Sequence, residues 1–226
     1  MMWAFVLMLG MGAEAFDFEL DDEERLFLAQ INAYREAAGA PCLKPSPTLS
    51  AAAHYMSETM GKEGFLCHQE PPCDDAGENC VGRDPFDRID AFGHTQWTAA
   101  GENIAGGNKR AKETFRQWQT SPGHNENMLD PEYTAIGLAR VFVSGSELGW
   151  YWTNTFSDWV DSDWSCEGTG TGFSELMRIR EGLSENTPPQ EMSTQNMSSQ
   201  SDTGGCASSP WPLLLFLFVR RRLVTL

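Results

Sequence analysis

Ala100-Gly101-Glu102-Asn103-Ile104-Ala105 and, further along the chain, Ser121-Pro122-Gly123-His124 are the two most informative stretches of this sequence. A glycine stands before Glu102 and another before His124, and a short helical pattern separates the two stretches. Glycine permits the tight turns that aim a neighbouring side chain into a cleft. The two stretches therefore predict a carboxylate and an imidazole in one common cleft.

Length and charge limit the classes of protein to which the chain can belong. Its 226 residues, 41% of them hydrophobic, are enough for one sizeable core with additional segments. The formal net charge of −16 repels phosphate backbones, so we expect no nucleic-acid partner.

Four segments repeat apolar residues at helical spacing. Caps and breakers bound them, such as the acidic residues that open the first and the Ser46-Pro47 pair that opens the second. The predicted helices run from Asp21 to Gly39, from Pro47 to Gly61, from Pro85 to Phe92, and from about Asn108 until Pro122-Gly123 stop the fourth.

The pattern then changes to that of strands. Residues 135–143 are rich in Val, Ile and Phe, Gly145-Ser146 can turn the chain, and residues 148–156 return with Trp150-Tyr151-Trp152. This indicates an antiparallel hairpin covered on both faces. Helices on both faces of a small sheet give an α+β fold, a three-layer α-β-α sandwich with a small central antiparallel sheet.

Six motifs, in order, resemble those of the CAP superfamily (cysteine-rich secretory proteins, antigen 5, pathogenesis-related 1; SCP-like domains), in its bacterial form. The resemblance covers about Leu26 to Phe156, and the fold that it implies is the same sandwich. The motifs are Ile31–Arg35 with the following Leu49–Met56 stripe, Phe65–His68, Asp84–Arg88, Gly101–Ala105, Trp118 with Ser121–His124, and Trp152–Asn154 with Phe156.

The resemblance also implies a cleft with two histidines and two glutamates. His68, Glu102 and His124 match three of these positions. Ser121 stands where the second glutamate is expected, and Glu126, two residues after His124, is the nearest replacement.

Two kinds of function remain open for this cleft. Two imidazoles and a carboxylate could bind Zn²⁺, leave a position for water and support a metal-dependent peptidase or esterase. Alternatively, the same groups form a buried hydrogen-bonded network in a non-catalytic module that binds a small apolar ligand or a partner protein. The sequence contains no nucleophile elbow and no H-E-x-x-H helix, which favours the binding module.

Other histidines and aromatic residues are expected to be structural. His54 lies by the apolar stripe of the second helix and is expected in the core, and we assign no role to His94. The Trp150-Tyr151-Trp152 run is expected to pack in the core of the sheet.

Six cysteines indicate an oxidising compartment. Cys42, Cys67, Cys73, Cys80 and Cys166 are the disulfide candidates, and their connectivity stays open because this leaves an odd number. Cys67, Cys73 and Cys80, with His68, form a cluster that could instead hold zinc.

The N-terminus predicts export. Trp3–Gly12 is a short apolar run, and Ala13-Glu14-Ala15 is an A-x-A cleavage site. No Lys or Arg precedes the run, which is atypical. We expect residues 1–15 to be a signal peptide, a mature start near Phe16, and a CAP-like domain over residues 21–163.

The C-terminus predicts retention at the cell envelope. Residues 168–205 form a Ser/Thr/Gly-rich flexible linker. Residues 206–226 begin at Cys206 and continue with the apolar Pro212–Val219 run and Arg220-Arg221-Arg222. They resemble myxobacterial surface-sorting tails, which implies processing near Cys206; an ordinary short membrane anchor is the alternative.

Overall fold

Two helical layers enclose a sheet in the computed structural model, which describes residues 19–74 and 80–166 and the backbone of residues 218–221. The helices are α1 Asp22–Ala38, α2 Pro47–Glu63, α3 Pro85–Ala91, α4 Ala111–Gln119 and α5 Pro122–Leu129. The strands are β1 Lys44–Pro45, β2 Ala99–Gly106, β3 Ala135–Phe142, β4 Trp150–Ser157 and β5 Phe218–Arg221.

The described sheet has the strand order β1-β3-β4-β2-β5. Strands β3 and β4 form the predicted antiparallel hairpin, with Ile136 opposite Phe156. Strand β2 pairs antiparallel with β4 on one side and with β5 on the other, whereas β1 is parallel to β3. Every residue of β4 after Trp150 is buried, as expected for a strand covered on both faces.

Apolar clusters on the two faces confirm the α-β-α sandwich. On one face, Phe27 of α1 packs against Phe115 and Trp118 of α4 and against Trp152 of β4. On the other, Leu49 of α2 and Phe86 and Ile89 of α3 pack with Ala100 of β2. A Cβ at Gly137 of β3 would lie 2.3 Å from the backbone of Leu49, so this glycine lets α2 pack directly on the sheet.

Local capping explains the helix starts. Asp21 and Glu24 form a reciprocal capping box at α1, and the Ser46 hydroxyl accepts a hydrogen bond from Leu49 N at the start of α2. Asp84 caps α3 in the same way. These three helices confirm the predicted starts to within one residue.

Two local predictions were wrong. Gly101 lies inside strand β2 rather than in a turn, because pairing with β4 and β5 overrides the weak strand propensity of Ala-Ala-Gly. Pro122-Gly123 do not simply stop a helix: α4 ends at Gln119, and Pro122 is the first residue of α5. Proline is favoured at that position, where its missing N–H costs no helical hydrogen bond.

Disulfides staple the described chain at two places. Cys42, before α2, pairs with Cys166, beyond β4, and Cys73 pairs with Cys80. Cys67 is also disulfide-bonded, so the part of the chain that the structure describes has no free thiol. The zinc interpretation of Cys67, Cys73 and Cys80 was therefore wrong, since an oxidised sulfur supplies no thiolate ligand.

Most of the predicted terminal segments lie outside the described residues. These are the signal peptide at 1–15, the linker at 168–205 and Cys206. Of residues 206–226, only the backbone of 218–221 is described, as strand β5. Within the described ranges, no helix has the length and apolarity needed to cross a membrane.

Candidate functional site

Glu102 lies at the centre of a buried ion-pair network. Its side chain has no exposed surface, and its two carboxylate oxygens accept hydrogen bonds from two different groups. Arg88 Nη2 donates to Oε2 at 2.6 Å, and His68 Nδ1 donates to Oε1 at 2.9 Å. The predicted contact between His68 and Glu102 is therefore present, and a third residue holds the carboxylate from the other side.

Arg88 is the site residue that the sequence analysis missed. It comes from α3, is fully buried, and also donates to the backbone oxygen of His68 at 3.3 Å. Its Nη1 reaches Glu70, whose other oxygen accepts from Arg83 at 3.0 Å. A signal was available: Arg88 lies between Pro85 and Ile89 on the buried side of α3, and a buried guanidinium requires a carboxylate partner.

The network keeps Glu102 ionised in spite of its burial. Burial by itself raises the pKa of Glu102, but the Arg88 guanidinium and the hydrogen bond from His68 outweigh it, so that the pKa lies below its usual value. A carboxylate held in this state is a poor general acid, and neither oxygen lacks a hydrogen-bond partner.

His124 lies near this network but is held by different partners. Its Nδ1 is hydrogen-bonded to the Ser121 hydroxyl at 2.8 Å, and its ring stacks on Trp118 with the centroids 6.1 Å apart. Burial and the nearby charge of His68 lower the pKa of His124 to about 3, so the imidazole is neutral. Ser121, which replaces the expected second glutamate, thus orients His124.

The other ring nitrogen of His124, Nε2, is buried without a hydrogen-bond partner in the structure as described. His124 as a whole is only 1% exposed. Burying such a nitrogen without a partner costs about 1–3 kcal/mol. The position therefore suits a polar group of a bound molecule.

Side-chain amides hold α5 against β2. Asn103 Nδ2 donates to the backbone oxygen of His124 at 3.0 Å, and Asn127 Nδ2 donates to the backbone oxygen of Glu102 at 3.1 Å. Successive strand residues face opposite sides, so Glu102 points towards α3 and Asn103 towards α5. His68 and His124 consequently approach β2 from opposite helical layers.

Glu126 lies apart from these residues. It is exposed, whereas His124 two positions earlier is buried, because residues i and i+2 of a helix do not share a face. Glu126 therefore does not supply the second carboxylate that we considered for the cleft.

These donors do not fit a zinc ion. Across the described ranges, no group of three or more His, Cys, Asp or Glu residues has a geometry that could hold a metal. Glu102 would have to exchange the Arg88 guanidinium for the cation, which would leave a buried arginine without its partner. We therefore derive no metal-dependent step.

Of the two remaining histidines, His54 differs from its predicted role, and no role was predicted for His94. His54 is exposed on α2, so its expected place in the core was wrong: the buried positions are its neighbours Ala53 and Met56. His94 is fully buried and hydrogen-bonded to Thr48 at 2.9 Å and to Ser157 at 2.8 Å.

The His94 contacts resemble a Ser-His-Asp arrangement, since Asp161 Oδ2 lies 3.8 Å from His94 Nδ1. However, Ser157 has no exposed surface, and its hydroxyl accepts a hydrogen bond from Trp159 N. A nucleophile needs access to substrate, so this network is structural and fastens the chain beyond β4 to α2. Tyr151 and Trp152 are likewise buried in the sheet, whereas Trp150 is half-buried.

Comparison with known proteins agrees with the fold and the order of the motifs. Residues 28–156 match the cysteine-rich secretory protein family, CAP. The chain is 34% identical over 133 residues to the uncharacterized protein YkwD of Bacillus subtilis; the match covers 59% of this chain and 46% of YkwD. The chain thus spans less than half the length of that relative.

Two solved structures are also similar. One is an outer surface protein from Borrelia burgdorferi, with a TM-score of 0.51, 18% identity, and coverage of 62% of this chain and 96% of that one. The other is an extracellular protein containing a SCP domain from Bacillus anthracis, with a TM-score of 0.49, 22% identity, and coverage of 60% and 40%. The first likeness concerns the fold alone. Because the family match spans more than half of the sequence and contains the residues around Glu102 and His124, this chain belongs to the cysteine-rich secretory protein family, CAP.

Proposed function

We propose that this protein is an exported CAP domain that binds a small apolar ligand or a partner protein at the site of His68, Glu102 and His124, without catalysis. One observation carries the proposal: both oxygens of the Glu102 carboxylate are held by Arg88 and His68 in a fully buried ion pair. A carboxylate held in this way stabilises the shape of a site and is not free to move protons or hold a metal.

His124 gives this site its polar contact. The imidazole is neutral, Ser121 and Trp118 fix its orientation, and Nε2 has no partner in the described structure. The apolar neighbour that the structure shows for His124 is Trp118, which is fully buried and on which the imidazole stacks. A ligand that is mainly apolar and has one hydrogen-bonding group matches these surroundings.

Export is supported by the disulfides. Cys42–Cys166 and Cys73–Cys80 are bridged, and Cys67 is also oxidised. Such bonds persist outside the reducing cytosol. We further propose that the C-terminal tail retains the protein at the envelope; deletion of residues 212–226 should then release the protein into the medium, and mass spectrometry of the mature chain should detect processing near Cys206.

The ligand proposal can be tested with Nile red, a neutral apolar probe that carries a carbonyl group. We expect saturable binding to the full-length protein. The H124F variant keeps a ring on Trp118 but has no Nε2, and it should weaken binding by about tenfold, the value of one net hydrogen bond.

H54F is the matched control, because His54 is exposed on α2. It should bind the probe as the wild type does. Equal weakening in both variants, or no saturable binding to any of the three proteins, would contradict the proposal.

A further inference from the structure

We propose that the outer edge of β2, from Ala99 to Glu102, is an acceptor site for an extended peptide strand, and that residues 218–221 close it in cis in the full-length chain, before any processing near Cys206 or retention at the envelope. This goes beyond the ligand site proposed above and does not depend on it. The groups that would bind the peptide are backbone N–H and C=O groups at this edge of the sheet.

The direction of the backbone groups of β2 follows from its contacts with β4. Gly107 N donates to Trp150 O, and Asp158 N donates to Ala99 O, so the odd-numbered residues point towards β4. Backbone groups alternate along a strand, which turns those of Ala100, Glu102 and Ile104 to the outer edge. The register with β5 places Ala100 opposite Arg220 and Glu102 opposite Phe218.

Side chains from the helices limit the length of this open edge. Trp118 Nε1 donates to Ile104 O at 3.2 Å, and Asn127 Nδ2 donates to Glu102 O at 3.1 Å. The outward carbonyls of Glu102 and Ile104 are thus already occupied by side chains of α5 and α4. The pairing with β5 ends at Glu102, the first residue whose outward carbonyl accepts a hydrogen bond from a helix side chain.

The open part of the edge needs a partner. With β5 in place Ala100 has no exposed surface, and its outward N–H and C=O lie opposite Arg220. A buried N–H without a partner is costly, so these groups require a strand at this position. The edge sequence Ala99-Ala100-Gly101 also lacks the lysines, prolines and bulges that normally block strand addition. These features are typical of β-strand addition, in which main-chain hydrogen bonds supply the affinity.

The acceptor edge borders the ligand site. Glu102 faces the layer that contains His68, and Asn103 faces the layer that contains His124. A strand at the outer edge of β2 therefore lies at the seam between the two layers. A partner peptide can enter this seam only after the cis strand has left.

The sequence of the cis occupant indicates which peptides fit. Residues 216–219 are apolar and residues 220–222 are arginines, on a chain of formal net charge −16. An apolar stretch followed by basic residues combines backbone pairing with attraction to an acidic body.

Amide hydrogen exchange on the full-length protein tests the proposal. The amide of Ala100 should be protected in the wild type. Arg220→Pro removes the N–H that faces Ala100 O, so one of the two bonds of this pair is lost. The remaining bond, from Ala100 N–H to Arg220 O, should then open more often, and exchange at Ala100 should speed up by about tenfold. The amides of Gly101 and Asn103, which point to β4, should not change and report that the fold is intact.

Arg220→Gln is the control for charge, because it keeps the backbone N–H, and it should leave exchange at Ala100 unchanged. A synthetic peptide of residues 216–223 should bind the Arg220→Pro protein, restore protection at Ala100, and not bind the wild type.

Three results would overturn the proposal. The first is free exchange at Ala100 in the wild type. The second is identical exchange at Ala100 in the wild type and in Arg220→Pro, or equal acceleration by Arg220→Gln. The third is failure of the peptide to restore protection in Arg220→Pro. All three results concern the backbone of the sheet edge. They can therefore fail independently of Nile red binding at His124, which tests the proposed ligand site.

Discussion

Arg88 donates a 2.6 Å hydrogen bond to Glu102 in a part of the protein where neither side chain has any exposed surface. This contact joins α3 to β2 and fixes the position of His68 through the other carboxylate oxygen. Pairs of this kind depend strongly on both members, because removal of one leaves a buried charge.

We expect Glu102→Gln and Arg88→Met each to lower the free energy of unfolding by about 3–5 kcal/mol. Arg83→Met is the matched control, because Arg83 pairs with Glu70 but is 42% exposed, and it should cost less than about 1 kcal/mol. Urea denaturation with a fluorescence readout measures all three. A loss in Arg88→Met as small as that in Arg83→Met would show that the buried pair does not stabilise the fold.

His124 should make stability depend on acidity. Burial lowers the pKa of His124 to about 3, whereas the unfolded value is about 6.5. Its contribution is therefore fully present above pH 6.5 and is lost as the pH falls towards 3, by about 5 kcal/mol in all. His124→Gln should remove this part of the pH profile in urea denaturation between pH 7 and pH 4; an unchanged slope would contradict the assignment.

Glu24 should give stability the opposite pH dependence to that from His124. Burial in α1 raises the pKa of Glu24 to about 7, in spite of hydrogen bonds from the backbone of Asp21 and Arg140. The folded state then favours the protonated form, so the contribution is present below about pH 4.5 and is lost as the pH rises through 7, by about 3 kcal/mol.

Glu24→Gln should flatten this part of the pH profile. Glu36→Gln, an exposed position of the same helix, controls for the substitution itself. If both variants keep the slope of the wild type, another group is responsible.

Gly101 should be the less replaceable of two glycines in β2. A Cβ at Gly101 would lie 2.7 Å from Asn127 Oδ1 and 2.7 Å from Tyr133 Oη, and Asn127 is fixed by its bonds to Glu102 and Asn103. Gly101→Ala should therefore cost about 1–3 kcal/mol.

Gly106→Ala is the comparison, because its Cβ would meet the far end of the Leu148 side chain, which is half-buried and can turn away. It should cost less than Gly101→Ala in thermal denaturation. The reverse order would mean that the amide contacts around Asn127 are not what requires glycine at Gly101.

The sequence predicted the layers better than it predicted the site. Helices α1, α2 and α3 and the β3–β4 hairpin follow from caps and periodicity, which are local properties. Strand β2 does not, because its Ala-Ala-Gly start has weak propensity and is determined by pairing on both sides.

For the site, the resemblance identified His68, Glu102 and His124, but the network also depends on Arg88 and Ser121, whose roles arise from tertiary contacts. Arg88 is recognisable as a partner only once α3 packs against β2. Ser121 looked like the loss of a glutamate, whereas its hydroxyl orients His124. The exposure of His54 was missed because its neighbours on α2 are apolar.

The central claim is that Glu102 holds the site together and does not serve a metal-dependent reaction. The most direct measurement is the hydrolysis of ester and peptide substrates by the full-length protein, with added Zn²⁺ or with chelator, beside Glu102→Gln. The account predicts no turnover above the uncatalysed rate in any of these conditions, and a loss of stability in Glu102→Gln. Turnover that requires Zn²⁺, stops with chelator and disappears in Glu102→Gln while the variant remains folded would contradict it.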